Sequence, residues 1–415
     1  MTTSKPLFVY LQRPDTGEWV TVGRYLGDSA KRFGTFKYAP SYVDAGFTWS
    51  IDPVNLPFLP GHVFTAPRYG GLHDVLRDAG PDSWGQALLR REHNLPDATP
   101  SVRFLTLSNN AHRWGALAIG VSKNPSVAAF ATPKLPHLDK LIAELRAISA
   151  HLPAVDAALR ARLVQTASVG GARPKATVQD SEGQLWLVKP RIATDIADIP
   201  RLEHMAQQWG AASGLRFAAT VLHAVDAGFS AVRVLRFDRD KARRFMCVSA
   251  ASLLQSAYPA TAMETDRWSY PRLAEQLKLI GAPNEDRREL FGRMVFNAVC
   301  GNDDDHVRNH AVHFRPDLGG WRLAPAFDVV PNPVETPRQL DMQLATRLFD
   351  ISRATILLDA HRFGFAGQEE ASQFLDNLLI RIDASFQASV AVLDDDWQKF
   401  MYDRLNDNLA LLRQP

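Results

Sequence analysis

Gly301-Asn302-Asp303-Asp304-Asp305-His306-Val307-Arg308-Asn309 directly follows an apolar stripe formed by Leu290, Phe291, Met294, Val295 and Ala298. The stripe has helical spacing, so these residues open where a helix ends. Three carboxylates, a histidine and the amide of Asn309 are packed into that short run. Such a cluster is expensive to bury without a cation or a chemical task. Pro325-Ala326-Phe327-Asp328 adds one more acid between apolar residues. An acid, an asparagine five residues later and an acid roughly twenty residues on can build a site for a divalent metal and a transferred phosphoryl group.

In that scheme Asp304 accepts or orients the proton of a substrate hydroxyl. Asn309 offers an amide oxygen to Mg²⁺, and Asp328 bridges the metal to phosphates; oxygen ligands suit this hard cation. His306 shapes the loop by hydrogen bonding. Asp303 and Asp305 read as solvated neighbours or outer charges. Zinc is disfavoured, because no cysteine pair or HExxH spacing lies nearby. A Ca²⁺-type or capping turn is the plainer alternative, but the EF-hand glycine and terminal glutamate are absent.

Two further groups lie upstream. Ser168-Val169-Gly170-Gly171-Ala172-Arg173-Pro174-Lys175 places paired glycines before a strand. Backbone N–H groups in such a turn can approach phosphate oxygens, and Lys175 can add a point charge. Alone it also reads as a plain hairpin turn, and it lacks Walker A spacing. Lys189 ends the apolar strand Leu185-Trp186-Leu187-Val188, where a lysine can contact ATP phosphates or simply reach solvent. Glu203, on the next predicted helix, can pair with Lys189 or sit on a solvated face. The order of these parts is that of kinase-like phosphoryl transfer.

Composition sets the frame. The 415 residues suffice for two or three domains, and the 46% hydrophobic and 22% charged fractions are those of a globular chain. A net charge of +2 does not mark a polyanion binder acting alone. Cys247 and Cys300 lie far apart in apolar contexts, which fits a reduced, cytoplasmic setting. No targeting segment and no membrane-length apolar run is visible.

Along the chain, residues 1–121 read as β-rich. Leu7–Leu11 and Trp19–Gly23 form an expected hairpin, Phe47–Ile51 a further strand, and Asp82–Arg91 a helix. Residues 122–136 are a proline-bearing linker. Residues 137–238 carry the glycine turn, a strand pair, a helix from about 200 to 213 and a strand at 231–237. Residues 239–415 are expected to be mostly helical.

These residues resemble the HipA family of bacterial serine/threonine kinases, the toxins of HipA–HipB toxin–antitoxin systems. The resemblance covers most of the chain. Residues 301–309 look like the family's catalytic loop, in which a His follows the Asp by two residues and an Asn by three more. Leu323–Val330 looks like its metal-binding segment, and Val234–Arg239 is similar to its hinge. Gly80-Pro81-Asp82-Ser83-Trp84-Gly85 resembles the preceding subdomain.

The resemblance implies an α+β, two-lobed, protein-kinase-like fold with an N-terminal β-rich subdomain. It implies ATP and Mg²⁺ as cofactors, with Asp304 as catalytic base, Lys189 on the phosphates, and Asn309 and Asp328 on the metal. Ser168, Val169, Gly170, Gly171, Lys175, Arg236, Phe237 and His306 would complete the nucleotide site. Ser168 falls where the family carries a serine that can be autophosphorylated, a modification that ejects the glycine loop. Arg236 stands where the hinge usually has glutamate, and Arg308 replaces the common lysine. The implied partners are a HipB-like helix-turn-helix antitoxin, with DNA reached only through it, and a protein substrate such as an aminoacyl-tRNA synthetase. The alternatives are an inactive pseudokinase serving as a co-repressor with a DNA-binding partner, and a small-molecule kinase with a related core.

Overall fold

The computed structural model describes residues 5–28, 31–129, 131–166, 173–225, 229–258 and 265–414. The chain divides into two compact units: Met1–Val188 with Asp238–Ala257 and His313–Gly319, and Lys189–Phe237 with Tyr258–Val312 and Gly320–Pro415.

The first unit contains strands β1 (Leu7–Gln12), β2 (Trp19–Asp28), β3 (Phe33–Tyr38), β4 (Phe64–Thr65) and β5 (Leu117–Gly120) in one sheet of order β4-β3-β2-β1-β5. The expected hairpin is β1–β2, antiparallel, with Leu11 opposite Val20 and a register shift at Val9/Tyr10. Gly23 is obligatory in β2, because a Cβ there would lie 2.4 Å from the Phe36 ring. Residues 47–50 are not a strand. Their alternation is satisfied otherwise: the rings of Phe47 and Trp49 stack at 5.4 Å, and Tyr42 and Ser50 hydroxyls bind nearby backbone carbonyls.

Helix α1 (Ser83–His93) is capped by Asp82, whose carboxylate accepts from Gly85 N at 2.7 Å. A second helix, α2 (Leu138–Ser149), buries Leu138, Leu141, Ile142, Leu145 and Ile148. Strand β6 (Ala176–Gln179) pairs with β7 (Leu185–Pro190), with Ala176 opposite Val188. Asp180 fixes the turn by accepting from Gln184 N and Trp186 Nε1.

The second unit opens with Lys189 and Pro190 at the end of β7. Helix α3 (Ile199–Ala212) begins at an Asp198 cap with Pro200 in its first turn, and Gly214 follows it at φ +84°. Strands β8 (Thr220–Val225) and β9 (Phe229–Leu235) form an antiparallel hairpin. Four helices of ten residues or more follow: α4 (Tyr270–Leu279), α5 (Asn284–Cys300), α6 (Gln368–Val390) and α7 (Asp395–Arg413). The core centres on Trp209 of α3, wholly buried, with Phe296 of α5 and Phe386 of α6 each 5.0 Å away edge-on. Its indole N–H donates to Ile382 O at 2.8 Å, so the ring is satisfied as well as packed. Residues 301–352 hold almost no helix, against the expectation of a mostly helical second half. Among the described residues, no helix is long and apolar enough to cross a membrane.

Candidate functional site

Helix α5 is buried along its final turns and stops at Gly301, which takes the left-handed conformation at φ +75°. A side chain at that position would meet Arg404 of α7 at 2.9 Å. Arg404, itself wholly buried, donates to Cys300 O at 3.2 Å and to Asn332 O at 2.6 Å. Asn332 N returns a bond to Gly301 O at 2.7 Å. The acidic stretch thus leaves the helix at an angle fixed from two sides.

Within the stretch the three acids differ in environment. Asp304 projects outward, with its side chain 80% exposed. The surrounding protein, then the charges of Asp328, Asp341 and Asp303, raise its carboxyl to about 7. Asp303 accepts from Asn332 Nδ2 at 2.9 Å. Asp305 is wholly buried, so of the two readings the sequence offered the outer charge stands and the solvated neighbour does not. It accepts from Tyr270 OH at 2.6 Å, Asp341 N at 3.0 Å and Met342 N at 3.2 Å.

Asn309 donates its amide N–H to Asp304 O at 2.9 Å, which leaves the amide oxygen as the end suited to a cation. His306 accepts from Arg308 N at 3.3 Å through Nδ1 and packs on Tyr258 at 4.3 Å. Burial lowers its pKa to about 4, so the ring is neutral and shapes the loop.

Asp328 is brought to the same place by a different route. Ala326 forms a parallel bridge with Phe217, and Ala218 N donates to Ala326 O at 2.9 Å. Phe327 packs on the cluster of Ala218, Val232 and Val234 and against the Phe237 ring at 5.1 Å. Asp328 then adopts φ +58°, a conformation that non-glycine residues rarely hold without a reason. Its carboxylate meets Lys189 Nζ at 2.7 Å. Lys189 also donates to Glu203 of α3 at 2.6 Å. Burial pulls this ammonium's pKa down, but the two carboxylates outweigh it and raise it above the usual lysine value.

The second unit therefore joins Lys189, Glu203 and Asp328 directly, and sets Asp304, His306 and Asn309 on one fixed loop. Phe237 is half-buried beside Phe327, and Arg236 is buried just past the end of β9. Lys175 is 3% exposed in the first unit, where it binds Asp82 at 3.1 Å. Ser168, Val169, Gly170 and Gly171 lie outside the described residues.

Sequence reasoning missed Tyr258, Tyr270, Asn332, Asp341 and Arg404. Each meets the loop through tertiary contact, and none carries a local motif that would have singled it out.

A sequence model described as the HipA-like C-terminal domain matches residues 167–386, more than half of the chain. The chain belongs to the HipA family. Its fold is similar to that in the Shewanella oneidensis MR-1 structure of HipA with HipB and operator DNA. That match has a TM-score of 0.70 and 16% identity over 98% of this chain and 96% of that one. This HipA-like chain accordingly has the kinase-like mixed helix-and-sheet fold with an N-terminal β-rich region. A Helicobacter pylori proinflammatory kinase, CtkA, matches with a TM-score of 0.44 and 14% identity over 57% of this chain and 90% of that one. One curated yeast protein, the Kluyveromyces lactis mitochondrial "Required for respiratory growth protein 8", is 30% identical over 164 residues, or 38% of this chain. The chain spans about half the length of that relative, 51%.

Proposed function

We propose that this HipA-family protein is an ATP- and Mg²⁺-dependent serine/threonine protein kinase and the toxin of a toxin–antitoxin pair. The observation that carries this is Lys189 held between Glu203 and Asp328 at 2.6 and 2.7 Å. A strand lysine, a helix glutamate and a metal-holding aspartate in that relation are what phosphoryl transfer from ATP requires. Lys189 contacts the nucleotide phosphates. Asp304 orients the acceptor hydroxyl and takes its proton. Asn309 and Asp328 hold Mg²⁺, and their amide and carboxylate oxygens fit a hard cation. Bound Mg²⁺ supplies neutralisation of charge on the phosphates. Phe237 and the backbone at Arg236 line the adenine pocket; Ser168, Val169, Gly170 and Gly171 are the residues assigned to phosphate contact, with Ser168 as the site of self-modification.

The likeness to HipA solved with HipB and operator DNA supports a HipB-like helix-turn-helix antitoxin as partner, through which DNA is reached. The substrate proposed is an aminoacyl-tRNA synthetase in the cytoplasm.

Purified protein with labelled ATP–Mg²⁺ tests the reading. Label transfer to itself or to lysate proteins is expected, reduced about a hundredfold or more in Asp304→Ala. Asp304 is exposed, so that variant should fold normally. Transfer unaffected by Asp304→Ala would refute the assigned base. No transfer by the wild type would favour the co-repressor reading.

A further inference from the structure

Asp305 has no part in the chemistry above, yet it is wholly buried in the middle of the catalytic loop. Its Oδ1 accepts both Asp341 N and Met342 N, and its Oδ2 accepts Tyr270 OH. Tyr270 is itself fixed, because its hydroxyl accepts from Asn297 Nδ2 at 2.8 Å. Around this knot Asp341 N also donates to Asp303 O at 3.2 Å, Tyr270 N to Gln343 O at 3.1 Å, and Gln343 N to Trp268 O at 2.8 Å. Residues 341–343, downstream of Asp328, are therefore tied to the loop bearing Asp304 and to the start of α4.

In many kinases the segment beyond the metal-binding aspartate is ordered only after a phosphate is added to it. We propose that Asp305 is a positioning residue that locks residues 341–343 to the catalytic loop, so that the acceptor side of the site is set by a built-in carboxyl group instead of an added phosphate. This rests on the kinase reading and deepens it. Asp305 acts through Asp304 and the acceptor platform. Its loss should spare nucleotide affinity and damage transfer to an acceptor.

The test uses the full chain with Asp305→Ala and Asp305→Asn. Hydrogen–deuterium exchange reads the amides of Asp341 and Met342, and kinetics read KM for ATP–Mg²⁺ and label transfer to lysate proteins. In Asp305→Ala both amides should lose protection while α5 keeps it. Transfer should fall about tenfold or more, because small misplacements are amplified in rate. KM for ATP–Mg²⁺ should stay within about twofold, the mark of an interaction outside nucleotide binding. Asp305→Asn should restore most of both, since its amide oxygen accepts the same two N–H groups. Unchanged protection in Asp305→Ala overturns the proposal. So does a parallel loss of ATP binding and transfer that Asn does not rescue, since that pattern marks general destabilisation. If Asp305→Ala does not fold, Tyr270→Phe removes one donor to the same carboxyl and should raise exchange at both amides; no rise overturns the proposal. If the wild type transfers no phosphate, the kinase reading fails, while the exchange measurement still decides whether Asp305 holds the segment.

Discussion

Lys189 and Asp328, 139 positions apart in sequence, meet at 2.7 Å, and Glu203 closes the same ammonium from the other side at 2.6 Å. Glu203 is 2% exposed and Asp328 31%, so the two halves of the triad are not equivalent. Removing the lysine takes its cation away from the buried Glu203, whereas Asp328 keeps access to water. Lys189→Met should therefore lower stability by about 3 kcal/mol, and Lys189→Met combined with Glu203→Met should recover much of that. Urea midpoints of the single and double variants check it. Strictly additive losses would show that the buried pair is not coupled.

The helix-ending glycines offer a second comparison. Gly281 and Gly301 both have positive φ, at +78° and +75°, but only Gly301 has a neighbour in the way. Gly281→Ala should cost about 1 kcal/mol from backbone strain alone. Gly301→Ala adds the collision with Arg404 and should cost ~2 kcal/mol or more. It should also reduce phosphate transfer, because the loop leaves the helix at that residue. Equal losses at the two glycines in thermal unfolding would dismiss the steric account.

His73 gives a pH dependence with a definite sign. It is 2% exposed with no partner for Nε2, and burial lowers its pKa to about 4. The unfolded chain takes up this proton first as pH falls. Its contribution is fully present above about 6.5 and is lost as pH drops towards 4, a change of ~3 kcal/mol. In His73→Asn that dependence disappears. The stability gap between wild type and variant should therefore narrow from pH 7.5 to pH 4.5, as read from urea midpoints. A gap independent of pH would mean that the ring keeps an ordinary imidazole pKa in the folded protein.

Phe237 and Phe327 face each other at 5.1 Å, and Phe327 also rests on Ala218, Val232 and Val234. Phe237→Ala removes one half-buried ring of the pair and spares Phe327, the neighbour of Asp328. KM for ATP–Mg²⁺ is expected to rise about tenfold while kcat changes little, the pattern of lost ground-state binding. A fall in kcat with KM unchanged would place Phe237 outside the adenine pocket.

Local pattern made much of this molecule legible. The helical stripe of α5 and the glycine that ends it announced where the acidic loop begins. The hairpins β1–β2 and β6–β7 followed from apolar runs flanking the Asp15-Thr16-Gly17 and Glu182-Gly183 turns. The short alternation at Phe47–Ile51 misled, because stacking and side-chain hydrogen bonds satisfied it without a sheet partner. Residues 301–352 were the least legible stretch. Their shape comes from side chains such as Asp305, Arg404 and Asn332 binding remote backbone, and no periodicity records that. Burial of Asp305 was hidden for the same reason: its donors Tyr270, Asp341 and Met342 are each more than thirty positions away.

The clamp from Arg404 onto Cys300, Asn332 and Glu335 carries a consequence for timing. Chains emerge from the ribosome N-terminus first. The loop that bears Asp304 is made before all of α7, since Arg404 lies 104 positions beyond Cys300. A nascent chain that extends past Asn332 but not into α7 has every acidic side chain of the loop and lacks the Arg404 half of what holds its exit from α5. Synthesis of α7 is thus the step that completes the clamp, and the acidic loop reaches its final geometry on the ribosome only after that helix has emerged.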